Sequence, residues 1–363
     1  EGAKEQEEEE EEEEKLSFRV VLGCPTCQGP LDETCACPRC RVYFPRRADG
    51  NFTDLTVTAA EPLAAGEVPP DQADPEPAAP EPSVLSKLPG VAQLDSFAKA
   101  LNLPTSAEVE GLAREVMKDR KRVIPGAEGV ISVSTFQSPL VSFAYERGWR
   151  EQFKANGFPG PQEEYRMAKQ FLEAPLAERK KANWVADWMG MKKPAVLLDC
   201  SCGSGLFTRR FASDRGLGFD GVVALDFSEA MLRQTDKYAA QEAGGSGSYP
   251  SYAKPLRLVR GDVGRLPFQT GSLAGVHAGA AIHCWPAPEV GLAEIARVLE
   301  PGATVVLSTF RKRALMGNNR SGFRFWERAE LERLMTQVGL VNFVAIEKDP
   351  AFIMVKAEKP RRA

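Results

Sequence analysis

No apolar run in the 363 residues approaches eighteen in length, so no segment is suited to cross a membrane as a helix. The chain's tightest glycine-rich loop lacks the Gly-x-Gly-x-x-Gly spacing, which excludes the dinucleotide fingerprint there. Histidine is scarce, with only His277 and His283. A strong charge of either sign is missing too. The formal net charge is −4, but residues 1–14 hold ten glutamates against Lys4, so the rest of the chain carries +5. That mildly basic body permits an anionic partner without demanding one. The chain opens on Glu1 rather than on an initiator methionine, so an upstream piece, a targeting segment included, is expected to have been removed or omitted.

Cysteine, by contrast, is concentrated in one place. Of eight cysteines, five fall between Cys24 and Cys40. Cys24-Pro25-Thr26-Cys27 and Cys37-Pro38-Arg39-Cys40 form two Cys-Pro-x-Cys knuckles, each able to aim two thiolates at one point. Together, Cys24, Cys27, Cys37 and Cys40 make the four soft ligands of a tetrahedral structural zinc. Cys35 is an alternative ligand or a spare thiol, and disulfide pairing is the competing chemistry. Cys200, Cys202 and Cys284 read as small packing residues.

Composition divides the chain into an acidic tail (1–15), a zinc-ribbon-like module (16–58), a linker (59–90), a helical cap region (91–193) and a larger core (194–359). The unbroken glutamate run is expected to be a solvated tail. Residues 59–83 carry seven prolines, too many for a helix, and are expected to insulate module from core. Within the cap region, helical spacing predicts segments over 163–172 and 176–189. Before them lies an aromatic stretch in which Tyr145, Arg147, Trp149 and Arg150 are candidates to face a site. Lys118-Asp119-Arg120-Lys121-Arg122 is the best basic cluster and reads equally as a solvated helix end.

The core reads as an α/β domain. A buried strand over 195–198 delivers Asp199 to the edge of a parallel sheet, and Gly203 and Gly205 let the chain turn closely under a ligand before a helix near Leu206. Val222-Val223-Ala224-Leu225-Asp226 is a second apolar run ending on an acid, placed where a carboxylate accepts both hydroxyls of a ribose. Three further strands are expected over 256–263, 273–281 and 304–308, the last after a turn at residues 297–302. The alternative is an α/β domain whose strand-end acids only cap helices.

Asp199-Cys200-Ser201-Cys202-Gly203-Ser204-Gly205 resembles motif I of the class I S-adenosylmethionine (SAM) methyltransferases, with Ser201 where that family usually has its first glycine. A closer resemblance is carried by Ser134-Thr135-Phe136-Gln137-Ser138-Pro139, Tyr145-Glu146-Arg147-Gly148-Trp149-Arg150, Gly157-Phe158-Pro159-Gly160-Pro161, His277-Ala278-Gly279-Ala280-Ala281-Ile282-His283-Cys284-Trp285-Pro286, the knuckles and Asp54-Leu55-Thr56-Val57. These are similar to a family of plant and algal chloroplast methyltransferases, some of them plastoglobule-associated, which also have Ser at the position of Ser201. The acidic tail and the proline-rich insert depart from it.

The resemblance implies a Rossmann-like class I methyltransferase sheet with a helical N-terminal cap, a plastid location, and cofactor contacts from Asp199, Cys200, Ser201, Gly203, Gly205, Asp226, Phe227, Met231, Asp262 and Val263. Asp262 would cap the adenine amino group. The acid common on the family's fourth strand is absent, with Ala274 and Gly275 near its place. His283 is the candidate base or orienting donor, His277 is expected to be packed, and Trp285 could flank a planar acceptor.

Three functions follow as expectations. The first is SAM-dependent methyl transfer to a small, lipophilic plastid metabolite such as a quinone or pigment precursor, with peripheral lipid-body association possible. The second is methylation of an RNA base, since bacterial rRNA guanine methyltransferases also join a zinc module to this core. The third is a non-catalytic scaffold of the same fold.

Overall fold

The structure is a computed structural model that describes residues 21–32, 34–45, 51–63, 157–189, 193–242, 252–312 and 324–361. Its N-terminal part supplies β1 (Ala36–Cys37), β2 (Val42–Tyr43), β3 (Phe52–Asp54) and β4 (Glu61–Pro62). A long helix, α1 (Pro161–Trp188), leads into β5 (Val196–Cys200), α2 (Leu206–Ser213), β6 (Gly221–Asp226), α3 (Glu229–Glu242), β7 (Leu256–Arg260) and β8 (Leu273–Gly279). Then come α4 (Pro288–Val298), β9 (Leu299–Phe310), α5 (Arg328–Gln337), β10 (Val341–Lys348) and β11 (Phe352–Glu358). None of the described helices is long and apolar enough to cross a membrane.

The main sheet runs β10-β11-β9-β8-β5-β6-β7-β3. From β9 through to β7 neighbouring strands are parallel, whereas β11 is antiparallel to both its neighbours. All five residues of β5 are buried, as a strand covered on both faces requires. One apolar layer joins α1, α2 and α3 to one face, and a second joins α4 and α5 to the other. From β5 the chain winds outward through β6 to β7, then returns to β8 on the opposite side. The switch point therefore lies between β5 and β8, where open sheets of this kind bind ligands at the carboxyl ends of their strands.

Three sequence expectations are corrected. The segments 163–172 and 176–189 are one continuous helix through Pro175, because Leu172 and Leu176, one turn apart, are both buried against the same layer. The turn expected before the fifth strand lies inside β9, where Gly302 takes φ +82° and the pairing with β8 shifts register. Nor does the linker insulate module from core. β3 pairs in parallel with β7 (Phe52 opposite Leu258, Asp54 opposite Arg260), and Val21, Leu22, Cys24, Phe44 and Leu55 are buried in the same apolar layer as Phe268, Leu292 and Ile295. The tail, residues 64–90, the basic cluster at 118–122 and the cap residues Tyr145, Arg147, Trp149 and Arg150 lie outside the described residues.

Candidate cofactor site and cysteine cluster

The loop after β5 has three left-handed residues within five positions: Ser201 (φ +57°), Gly203 (φ +57°) and Gly205 (φ +75°). Gly205 has no alternative. A Cβ there would sit 2.4 Å from Thr235 Cγ2 on α3, so the strained φ and the close approach both demand glycine. Thr235 fixes the loop in return, its Oγ1 donating to Gly203 O at 2.9 Å.

Asp226, at the end of β6, faces this loop. Its Oδ2 accepts from Gly203 N and its Oδ1 from Ser228 N, each at 2.9 Å. Burial raises its pKa to about 6 even against the amide donors of Ser228, Gly203 and Phe227. With the Phe227 amide as a third backbone donor, the carboxylate is fixed by the backbone while keeping acceptor capacity for a ligand hydroxyl.

Asp199 is engaged differently. It is buried, its Oδ2 accepts from Thr208 Oγ1 at 2.5 Å, and its Oδ1 lies 2.7 Å from His277 Nδ1. The His277 ring is held edge-on by Phe207 and Phe211 at about 5 Å, which fits the expected packed role. Asp199 thus ties the first turn of α2 to β8. Cys200 and Met231 are buried in the apolar layers. Phe227 offers its carbonyl to Arg260 Nε at 3.0 Å. Asp262 is exposed beyond β7, where its Oδ1 accepts from Gly264 N, and Val263 lies half-buried beside it.

Trp285 does not stand free to flank an acceptor. It is buried, and its indole Nε1 donates to Ser201 Oγ at 3.1 Å, with the ring lying over Gly291 of α4. His283 is buried as well, 3.2 Å from Thr309 Oγ1 through Nδ1 and edge-on to Phe310. Burial drives its pKa down to about 3, so the ring is neutral and a weak base. Burial pushes the thiols of Cys200, Cys202 and Cys284 up, in keeping with packing rather than nucleophilic roles.

The N-terminal cysteines converge. The Sγ atoms of Cys24, Cys27, Cys37 and Cys40 all lie within 4.8 Å of one another, with 3.5 Å between Cys27 and Cys37 and 3.9 Å between Cys24 and Cys40. A tetrahedral zinc with sulfur ligands needs edges of about 3.8 Å, so the donor set fits. Two equivalent turns build it, with Gln28 N donating to Cys24 O and Arg41 N to Cys37 O, and both Gln28 and Arg41 left-handed. Cys35 is not in the cluster; it is buried beside the Arg257 guanidinium.

Sequence reading missed the residues that tie the module to the sheet. Arg260 is buried, with Nη1 3.0 Å from Asp54 Oδ2 and 2.6 Å from Glu229 Oε1. In the sequence Asp54 stands out only as part of a motif, and its partner lies 206 residues away. A buried acid in the first turn of α1, Glu164, was also missed; its Oε2 accepts from Ser308 Oγ at 3.5 Å near the end of β9.

Residues 198–307 match the family model described as "Methyltransferase domain". The sheet is Rossmann-like, with helices packed on both faces of its parallel strands. The chain is 41% and 40% identical, over 244 and 239 residues, to two uncharacterized chloroplastic methyltransferases of Arabidopsis thaliana; each match covers 63% of this chain and 61% of the relative. Over 120 residues it is 36% identical to a demethylmenaquinone methyltransferase of Staphylococcus aureus, covering 32% of this chain and 44% of that one. The chain thus spans about three fifths of the length of the first two relatives.

Proposed function

We propose that this chain is a SAM-dependent methyltransferase of the plastid acting on a small, lipophilic, quinone- or pigment-like acceptor. The observation that carries the cofactor reading is the clasp between Asp226 and Gly203: the second-strand carboxylate and the glycine-loop backbone are already joined at the switch point of the sheet. In this reading Gly203 and Gly205 lie along the methionine part of the cofactor, Asp226 takes the ribose hydroxyls, and Asp262 with Val263 serves the adenine. Cys200, Met231 and Asp199 hold these groups in place. The four clustered cysteines bind one structural zinc.

When bound, SAM supplies a methyl carbon already made electrophilic by its sulfonium. The chain's own work is then to align the acceptor and exclude water. His283 contributes a neutral surface beside Phe310 instead of a proton-transfer group. The acceptor class draws support from the similarity to the staphylococcal quinone methyltransferase, and the location from the names of the two Arabidopsis relatives.

Incubation with methyl-labelled SAM and a whole plastid extract tests the reading. Label is expected in the organic phase, with little dependence on salt. Label confined to nuclease-sensitive material, with activity falling steeply as salt rises, would replace the acceptor by RNA.

A further inference from the structure

The segment that carries Asp262 is held by the N-terminal module on both sides and in the middle. Before it, β7 is paired with β3. After it, residues 267–269 run against residues 21–23: Gly23 N donates to Pro267 O at 3.0 Å, Gln269 N to Val21 O at 2.8 Å, and Leu22 bridges Phe268. This approach leaves no room for a side chain at Gly23, whose Cβ would lie 2.9 Å from the backbone of Phe268 and Gln269. Between these two pairings, the turn is closed by Arg265 N donating to Asp262 O at 2.9 Å. The Arg265 guanidinium reaches out of that turn into the first cysteine knuckle, its Nε donating to Pro25 O at 2.5 Å and its Nη2 to Thr26 O at 3.4 Å.

Pro25 and Thr26 are the two residues between Cys24 and Cys27. Their carbonyls meet Arg265 in the same turn that brings the two thiols to one centre. An ion on the four sulfurs would tie the two knuckles to each other and fix that loop beyond what the hydrogen bonds within each turn do.

We infer that the cysteine-bound metal positions the adenine side of the cofactor site, and that Arg265 is the positioning residue that carries the coupling from the knuckle to Asp262. The inference rests on the cofactor reading above. It requires metal and SAM to favour each other by the same factor, since coupling between two sites on one molecule is reciprocal.

Zinc affinity of the full-length protein, measured against a competing chelator with and without SAM, and SAM affinity, measured by calorimetry with and without zinc, form the test. Each ligand is expected to tighten the other by roughly five- to tenfold. Arg265→Ala should retain one equivalent of zinc and its fold, yet bring both factors close to one, while Arg265→Lys, which keeps a donor, should retain part of the effect. A purely structural arginine would not alter that reciprocity. Equal SAM affinity with and without zinc, in protein that binds both, overturns the inference. Amide exchange at Gly264 and Arg265, read with no cofactor present, separates this from failure of the cofactor reading. Protection lost on removing zinc upholds the mechanical link even if SAM does not bind, and protection that is indifferent to zinc sinks it.

Discussion

Trp285 Nε1 donates to Ser201 Oγ at 3.1 Å, joining the loop after β5 to the segment after β8 across the mouth of the sheet's switch point. Ser201 holds a left-handed φ of +57° to make that bond. The conformation costs a non-glycine residue about 1–2 kcal/mol, and the hydrogen bond returns about 1 kcal/mol while satisfying a buried indole N–H. A serine at this left-handed position, rather than a glycine, is therefore a near-balanced exchange that adds an anchor.

The balance predicts an order of stabilities. Ser201→Ala keeps the strain, loses the bond and leaves the indole unsatisfied, so chemical denaturation should find it destabilised by about 1–3 kcal/mol. Ser201→Gly loses the same bond but sheds the strain, and should fall closer to the wild type. If the alanine variant is as stable as the wild type, the anchor has no energetic weight; if it is as stable as the glycine variant, the left-handed φ carries no strain.

On the proposed ribose contact, Asp226 should make cofactor binding sensitive to acid. With its pKa raised to about 6, the carboxyl is mostly ionised at pH 7.5 and mostly protonated at pH 5. SAM affinity should weaken as pH falls through about 6, because protonation removes an acceptor from the ribose hydroxyls. The unliganded fold should respond in the opposite sense at this group. Its folded pKa lies above the unfolded value of about 3.9, so its contribution to stability is full below that value and is lost as pH rises toward 6. Calorimetric titrations at several pH values check the first expectation. Asp226→Ala should weaken SAM binding at pH 7.5 by roughly ten- to a hundredfold and flatten this pH dependence; a variant with wild-type affinity would move the ribose contact elsewhere.

Asp54 and Arg260 form a buried ion pair between β3 and β7. Burial pushes the Asp54 carboxyl up, but the Arg260 guanidinium and the Thr56 hydrogen bonds more than reverse this and hold it below the usual carboxylate range. Its stabilisation is therefore present above pH 4 and lost as pH falls through the lowered folded value. Asp54→Ala leaves Arg260 buried with Glu229 as its remaining acidic partner, and should cost about 3–5 kcal/mol by urea denaturation. A loss below about 1 kcal/mol would show that β3 contributes little to the sheet.

Much of the centre of this molecule was legible in the amino-acid order. Parallel strands buried on both faces must be continuous apolar runs, so β5 and β6 stood out, and a turn made under a ligand needs residues that tolerate positive φ, so Gly203 and Gly205 did too. The two knuckles announced themselves because ligands three residues apart on one turn form a local geometry. Tertiary structure decided what depends on distant partners. Which four of the five clustered thiols converge, that Asp199 faces Thr208 and His277, that Trp285 reaches Ser201, and that His283 is dry and neutral all follow from packing between segments far apart in the chain. The module's place is the largest such case. A proline-rich linker says only that two parts are separate along the chain; β3 joins the sheet because Asp54 finds Arg260 and Phe52 finds an open edge beside β7, 206 residues on.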